Sequence, residues 1–242
     1  RTQPPASIMM RRLSFFAFAP LLVLAVVTLV GADDCKTWAS IGECEKNPGY
    51  MLNHCAKECR EASERDLKQA ETKLRAISSV YDLKSRDLQG NVVDFAKFRG
   101  DVVVLTNVAS YCGYTESHYK GLNQLWSTLG GDNTGNRFHL LAFPCNQFGK
   151  QEPGTAEEIR EFVEEKGVEF TMMSKIDVNG PGTDTVYAYL KKYAKNAPKL
   201  IAWNFATYFV IGPDGDVTAY NGVEPMTLKD TITALMGPGE EL

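Results

Sequence analysis

The sequence predicts an α/β domain with a mixed central sheet flanked by helices, preceded by a small helical module that disulfides staple together. Apolar, strand-like runs alternate with segments of helical periodicity after residue 80, which is typical of a sheet covered by helices. Four of the six cysteines lie close together before that point. A chain of 242 residues that is 44% hydrophobic can bury one good core with a small unit left over.

The N-terminal segment is typical of a secretory signal. Arg11 and Arg12 precede an apolar run over 13–30, and Val30 and Ala32 supply the small residues needed for a cut after Ala32. The run is also long enough to span a bilayer, so an uncleaved signal-anchor that tethers the chain through this run is the alternative. Both alternatives predict the secretory pathway: the endoplasmic reticulum lumen, secretion, or a membrane anchor facing the lumen or the exterior.

Four cysteines follow the signal at high density: Cys35, Cys44, Cys55 and Cys59. In a secreted chain this density indicates two disulfides formed in an oxidising compartment. Zinc is the alternative, but only Cys55 and Cys59 approach ligand spacing, and His54 is too close to Cys55 for a good tetrahedral site.

Alternating charges and apolar residues at helical spacing predict a solvated helix over 60–78 that links the two units. Periodicity and turn residues predict the elements beyond it. These are a hairpin of 80–83 with 92–95, a buried strand over 102–110, a helix over 116–129, a buried strand over 139–144, helices over 157–166 and 185–195, and a hairpin of 206–211 with 216–220. The predicted organisation is a signal peptide or signal-anchor over 1–32, the cysteine module over 33–60, a helical linker over 61–79 and the α/β domain over 80–242.

A thiol stands where the first buried strand stops. Cys112 follows the strand at a turn before a predicted helix, where unpaired backbone N–H groups and a partial positive charge favour thiolate over thiol. Two later segments, 143–154 and 203–205, are rich in side chains that donate hydrogen bonds without titrating. Such donors suit a reaction in which a thiolate attacks and a departing oxygen anion needs stabilisation.

Together these three segments closely resemble the glutathione peroxidase family in its cysteine form. The resemblance implies a thioredoxin-like fold and makes Cys112 the peroxidatic residue, with Gln147, Trp203 and Asn204 completing the catalytic tetrad of the family. It also implies reduction of hydrogen peroxide and of organic or lipid hydroperoxides through a cysteine sulfenic acid, in the response to oxidative stress.

Departures from the family pattern bear on which reductant is expected for this chain. Thr115 occupies the place of the second sulfur of a CxxC motif, and 158–170 lacks the resolving cysteine of many relatives. Cys145 follows an apolar run and is predicted to be a buried structural thiol. An outside thiol is therefore expected, glutathione or else a thioredoxin-family reductant, with no cofactor. The short stretch 193–202 lacks the insertion through which tetrameric relatives assemble, which predicts a monomer with an open active-site face.

The cysteine module itself resembles the ShKT module. The matching steps are Trp38-Ala39, Gly42-Glu43-Cys44, Asn47-Pro48 and Tyr50-Met51, although the first and last cysteines of the family are absent. Carried over by position, the resemblance implies that Cys35 pairs with Cys55 and Cys44 with Cys59. A small interaction or spacer module is the favoured interpretation over channel blockade.

Other classes of function lack support in the sequence. A net charge of −4 gives no reason to expect nucleic acid as a partner. No metal site is predicted, because Pro181 and Ala188 occupy ligand positions of the calcium-like segment that begins at Asp177, and His118 and His139 have no partner at ligand spacing. Two alternatives remain open: a peroxide-driven thiol oxidase of secretory-pathway clients, and a secreted binding protein whose peroxidase domain is residual.

Overall fold

The computed structural model describes residues 32–130 and 137–237. Most of the predicted signal, residues 1–31, therefore lies outside the described residues. Within the two described ranges, no helix combines the length and the apolar character needed to cross a membrane.

The N-terminal module is a cluster of helices held by two disulfides. The helices are α1 (Ala32–Ser40), α2 (Glu43–Lys46), α3 (Pro48–His54) and the first turns of α4 (Ala56–Leu74). Disulfides join Cys35 to Cys55 and Cys44 to Cys59, the pairing that the resemblance to the ShKT module implies. They close sequence separations of 20 and 15 residues, and loops of this size are stabilised by about 3 kcal/mol each in the chain-entropy model. The disulfides thus supply much of what a unit this small cannot obtain from an apolar core.

The predicted mixed sheet is confirmed. The strands are β1 (Lys84–Arg86), β2 (Val92–Asp94), β3 (Val102–Val108), β4 (Phe138–Pro144), β5 (Thr171–Met172), β6 (Thr207–Ile211) and β7 (Val217–Asn221). The central sheet has the order β5-β4-β3-β6-β7, with β3, β4 and β5 parallel and β6 and β7 antiparallel to their neighbours. All residues of β3 are buried, because helices cover both faces of the sheet at its centre.

Four helices cover the two faces of the sheet: α5 (Thr115–Leu129), α6 (Ala156–Glu165), α7 (Thr185–Tyr193) and α8 (Lys229–Met236). Alternate residues of β3 enter different cores, because side chains alternate across a strand. Val103 and Leu105 pack in the core that contains α7, whereas Val102 and Val104 pack in the core that contains α5, α6 and α8. The three helices predicted over 116–129, 157–166 and 185–195 are present with small shifts at their ends.

The first predicted hairpin is shorter than expected. Residues 80–83 were predicted as a strand, but a 3₁₀ turn covers Val80–Asp82, and β1 and β2 pair only after it. The Ser79 hydroxyl accepts a hydrogen bond from the Tyr81 amide, and the Asp82 carboxylate accepts one from the Ser79 amide. This reciprocal cap favours a helical turn over extended backbone, and the apolar run gives no sign of it.

The helix predicted over 60–78 is part of α4, and it packs against the C-terminal domain (residues 80–237) instead of standing in solvent. Leu74 is 4% exposed and belongs to the core that contains α7. The Ser63 hydroxyl donates a hydrogen bond to the Lys199 carbonyl oxygen over 2.6 Å. Leu200 in turn is buried in the apolar cluster around the two disulfides. The module and the domain therefore share side chains across their contact.

Ion pairs flank this contact. Glu71 pairs with Lys192 over 2.9 Å, and Glu64 pairs with Lys199. Exposed pairs of this kind contribute about 0–1 kcal/mol each, so the buried leucines carry most of the stabilisation. The stretch 193–202, from which the sequence predicts an open face, thus carries residues that hold the module.

Candidate active site

Cys112 lies in the turn between β3 and α5 and is 8% exposed. The Thr115 hydroxyl accepts a hydrogen bond from the Cys112 amide over 3.0 Å and donates one to the Ala109 carbonyl oxygen over 2.6 Å. The Thr115 amide donates to the Cys112 carbonyl oxygen over 3.1 Å. Thr115, which stands where a CxxC motif would carry its second sulfur, therefore closes the turn that presents the thiol.

A strained turn places Trp203 and Asn204 ahead of β6. Phe205 has a φ of 63°, a left-handed conformation that non-glycine residues adopt rarely. Asn107, on β3, holds this turn: its side-chain amide donates to the Trp203 carbonyl oxygen over 3.3 Å and to Asn204 Oδ1 over 2.9 Å, and its carbonyl oxygen accepts from the Phe205 amide. Asn204 is fully buried and donates from Nδ2 to the Cys145 carbonyl oxygen over 3.2 Å. The Asn204 side chain is thereby fixed in orientation.

The Gln147 carboxamide is held by the loop that follows β5. Its Oε1 accepts hydrogen bonds from the amides of Val178 and Asn179, over 2.8 and 3.0 Å. Its Nε2 donates to the Asn179 carbonyl oxygen over 2.9 Å. Because two backbone donors face one atom of the carboxamide, that atom must be the oxygen, and Nε2 keeps one hydrogen beyond the one it donates.

The predicted tetrad is drawn from three segments at one edge of the sheet. Cys112 follows β3, Gln147 follows β4, and Trp203 and Asn204 precede the antiparallel β6. Cys112 belongs to an apolar core against which Trp203 packs. Among the described residues, no hydrogen bond joins the Cys112 thiol to any of the other three side chains, so the tetrad stays a prediction.

Cys145 lies between the two amides and is fully buried. Its thiol faces Gln147 Oε1 at 3.8 Å. Burial raises the pKa of Cys145 to about 12. At neutral pH this residue is a protonated thiol, in keeping with the structural role predicted for it.

Two residues near the site were not singled out from the sequence. Asn107 is a fully buried polar residue in an otherwise apolar strand, and that interruption is the signal that could have identified it. Glu152 is 1% exposed and accepts a hydrogen bond from the Ser110 hydroxyl over 2.8 Å. Burial raises the pKa of the Glu152 carboxyl, while the Ser110 bond partly opposes the rise. Glu152 therefore ties the loop after β4 to the turn that carries Cys112.

A cavity of about 370 Å³ opens beside Trp203. Most of its wall is apolar or aromatic, and the wall also contains His118 and Glu224, whose side chains lie 3.6 Å from one another. His118 Nδ1 also lies 2.6 Å from the Tyr208 hydroxyl. Burial lowers the pKa of His118, with Glu224 opposing the shift. The lining includes Tyr114, Trp203, Phe205, Ala206 and Val223.

Family models match two parts of the chain. The family model described as glutathione peroxidase matches residues 80–191, and the model described as ShK domain-like matches residues 31–61. Glutathione peroxidase 7 of Bos taurus is 44% identical over 159 residues, which are 64% of this chain and 81% of that protein. Glutathione peroxidase-like peroxiredoxin 2 of Saccharomyces cerevisiae is 41% identical over 163 residues, 66% of this chain and 98% of that protein.

Solved structures agree with the sequence comparison. The structure described as "Crystal structure of Trgpx in apo form" is 32% identical and superposes with a TM-score of 0.55, covering 68% of this chain and 99% of its own.

Proposed function

This chain belongs to the glutathione peroxidase family, and from that premise we propose that Cys112 is its nucleophile and that a small outside thiol is its reductant. Membership makes the chain an oxidoreductase that acts on peroxides. The observation that carries the proposal is the placement of Cys112 in a turn before α5, at the same sheet edge as the neutral donors Gln147, Trp203 and Asn204.

In the first half-reaction the Cys112 thiolate attacks one oxygen of the hydroperoxide. The O–O bond breaks, the distal fragment leaves as an alkoxide that takes up a proton, and the sulfur becomes a sulfenic acid. Asn204 Nδ2 and Gln147 Nε2 each use one hydrogen to bind backbone carbonyls and retain a second for the departing oxygen. Because both amides are fixed beforehand, they need little reorganisation when charge develops.

In the second half-reaction an outside thiol must reduce the sulfenic acid. Cys112 and Cys145 are the free cysteines, and Cys145 is buried and protonated. A first glutathione forms a mixed disulfide with Cys112 and releases water. The thiolate of a second glutathione then attacks the glutathione sulfur of the mixed disulfide, so that glutathione disulfide forms and Cys112 leaves as a thiolate. Two electrons thus pass from two glutathione molecules to one peroxide. A thioredoxin-family reductant is the alternative.

The cavity beside Trp203 supports organic and lipid hydroperoxides as substrates besides hydrogen peroxide. Its volume of about 370 Å³ and its largely apolar wall suit a hydrocarbon tail better than a charged group. Glu224 at its rim disfavours an anionic substituent. Removal of such peroxides is a response to oxidative stress.

The two disulfides of the module support a location in the secretory pathway, since such bonds persist in oxidising compartments. The same observation favours one further candidate function, in which thiols of client proteins reduce Cys112 and peroxide drives their oxidation. A monomeric state remains part of the proposal.

Reductant preference separates these functions. The purified chain is oxidised with one equivalent of hydrogen peroxide, and the return of the Cys112 thiol is followed after addition of glutathione, thioredoxin or a reduced disulfide isomerase. The proposal expects glutathione at millimolar concentration to restore the thiol. A chain restored by the isomerase alone is a client oxidase, and one restored by none of the three contradicts the proposed turnover.

A further inference from the structure

A second cavity lies where the N-terminal module meets the C-terminal domain. Its volume is about 320 Å³, within the range of small-molecule sites. Both units contribute to its wall, and Gln147 forms part of it. The module supplies Gly42 and Lys46, and the domain supplies Gln147, Asp177, Asn179 and the run Gly180, Pro181 and Gly182.

The module wall is held firmly enough to act as part of a site. The disulfide of Cys44 anchors α2, the helix that ends with Lys46. The Ser63 hydroxyl bond to Lys199 and the burial of Leu200 in the module fix α4 on the domain. Lys46 is therefore presented to the cavity by a braced element.

Opposite charges face this cavity. Lys46 Nζ donates to the Ile41 carbonyl oxygen over 2.7 Å, which leaves further N–H groups for a ligand. Asp177 also lines the cavity, and burial raises the pKa of its carboxyl. The Asp177 carboxylate lies against Gly182, where an added Cβ would come within 2.8 Å of Oδ2. A ligand with both an anionic and a cationic end would complement this pair of charges.

We propose that this cavity binds glutathione, with Lys46 facing a carboxylate and Asp177 facing the α-ammonium group. The proposal rests on the proposed function, since it assigns a site to the outside thiol. Gln147 is common to the cavity wall and to the predicted tetrad, so a thiol peptide held here lies beside the catalytic amide. The bound thiolate attacks the Cys112 sulfenic sulfur, the S–S bond forms, and hydroxide leaves as water after taking up a proton.

The lining distinguishes this ligand from other occupants. Lys46 and Asp177 are the charged residues of this wall, and a lipid tail alone would leave both of them unpaired. A folded protein thiol would not enter a cavity of about 320 Å³. We therefore assign this cavity to the reductant because of the pair Lys46 and Asp177, and the cavity with the aromatic wall beside Trp203 to the peroxide.

The kinetic test uses the full chain and two reductants. Lys46→Ala and Asp177→Asn are compared with Lys57→Ala, which changes another exposed lysine of the module, one whose Nζ lies 4.0 Å from Glu61 Oε1. Each protein is oxidised with hydrogen peroxide and then reduced by glutathione or by uncharged dithiothreitol. We expect Lys46→Ala to slow reduction by glutathione about fivefold, the size of one partly exposed ionic contact. Reduction by dithiothreitol, oxidation by peroxide and all rates of Lys57→Ala should be unchanged.

A binding measurement completes the design. S-methylglutathione, which cannot react, is titrated into the full-length Cys112→Ser variant while the amide resonances of Gly180 and Gly182 are followed. We expect shifts that Lys46→Glu abolishes. Equal slowing with both reductants, an unchanged glutathione rate in Lys46→Ala, or the absence of shifts overturns the cavity assignment and leaves the proposed function standing. Failure of peroxide to oxidise Cys112 in the unmodified chain overturns the proposed function instead.

Discussion

Asn107 should control both stability and rate, because it holds the turn that carries two of the predicted donors. Replacing Asn107 by alanine removes the 2.9 Å hydrogen bond to Asn204 Oδ1 and the 3.3 Å bond to the Trp203 carbonyl oxygen. An acceptor left buried and unpaired costs about 1–3 kcal/mol, and the second bond is long and only partly buried. We therefore expect the free energy of unfolding to fall by about 2–4 kcal/mol, out of the roughly 5–15 kcal/mol typical of a domain.

The expected kinetic effect of this change follows from Asn204. Without Asn107 the Asn204 carboxamide keeps only the bond from Nδ2 to the Cys145 carbonyl oxygen and is oriented less firmly. If this misdirects the donor, the reaction slows by up to about 10²-fold, the effect of losing one such donor. Stopped-flow tryptophan fluorescence with hydrogen peroxide measures the second-order rate, and urea unfolding measures stability. Asn107→Asp keeps the shape but removes the donor, so it should slow oxidation even if the alanine variant fails to fold.

Asn123→Ala is the matched control for Asn107. Asn123 donates one side-chain hydrogen bond to the Lys166 carbonyl oxygen over 2.8 Å, away from the turn of Trp203. The Asn123→Ala variant should be less stable than the unmodified chain but should be oxidised by peroxide at the same rate. Oxidation at the unmodified rate in both Asn107 variants would refute the view that this residue positions the donors.

Three further outcomes are expected. Gln147→Ala and Asn204→Ala should each slow oxidation of Cys112 by about 10²-fold in the same stopped-flow assay, and unchanged rates in both would remove the amides from the mechanism. Cys145 should resist iodoacetamide at pH 8, because a pKa of about 12 leaves only about one part in 10⁴ of this thiol as thiolate. Its alkylation rate should rise about tenfold for each unit by which the pH is raised, and rapid labelling at pH 8 in peptide mass maps would contradict its burial. Leu74→Ala should lower the free energy of unfolding in urea by about 2–4 kcal/mol, whereas a loss below about 0.5 kcal/mol would mean that α4 is not packed on the domain.

Long apolar runs made the centre of the fold predictable from sequence. Strands β3 and β4 are parallel and covered on both faces, so apolar residues predominate in both and the alternation of a half-exposed strand is absent. The two-residue strand β5 has no such pattern, since its place is set by pairing with β4. The turn at Val80–Asp82 was mistaken for a strand because two polar side chains decide its conformation.

Contacts between distant parts of the chain could not be predicted locally. Ser63 bonds to Lys199 across 136 positions, and Glu71 pairs with Lys192 across 121 positions. Helical periodicity shows that a helix has an apolar face but does not show which part of the chain packs against that face. The predicted linker helix was therefore expected in solvent, and the cavity that the module completes had no signal in the sequence.

The residues of the candidate site were likewise predictable from sequence only in part. Cys112, Gln147, Trp203 and Asn204 could be predicted as site residues because each lies in a segment whose neighbours also resemble the family. Asn107 supports the site through hydrogen bonds that become visible only when β3 and the turn before β6 are side by side.

The most direct test of the account is whether hydrogen peroxide oxidises the Cys112 thiol to a sulfenic acid. The full chain is treated with one equivalent of hydrogen peroxide in the presence of dimedone, which traps sulfenic acids, and its peptides are mapped by mass spectrometry. The account predicts an adduct on Cys112 in the unmodified chain and in Cys145→Ser, and no consumption of peroxide by Cys112→Ser. An adduct on Cys145 in place of Cys112, or undiminished peroxide consumption by a folded Cys112→Ser variant, would contradict it.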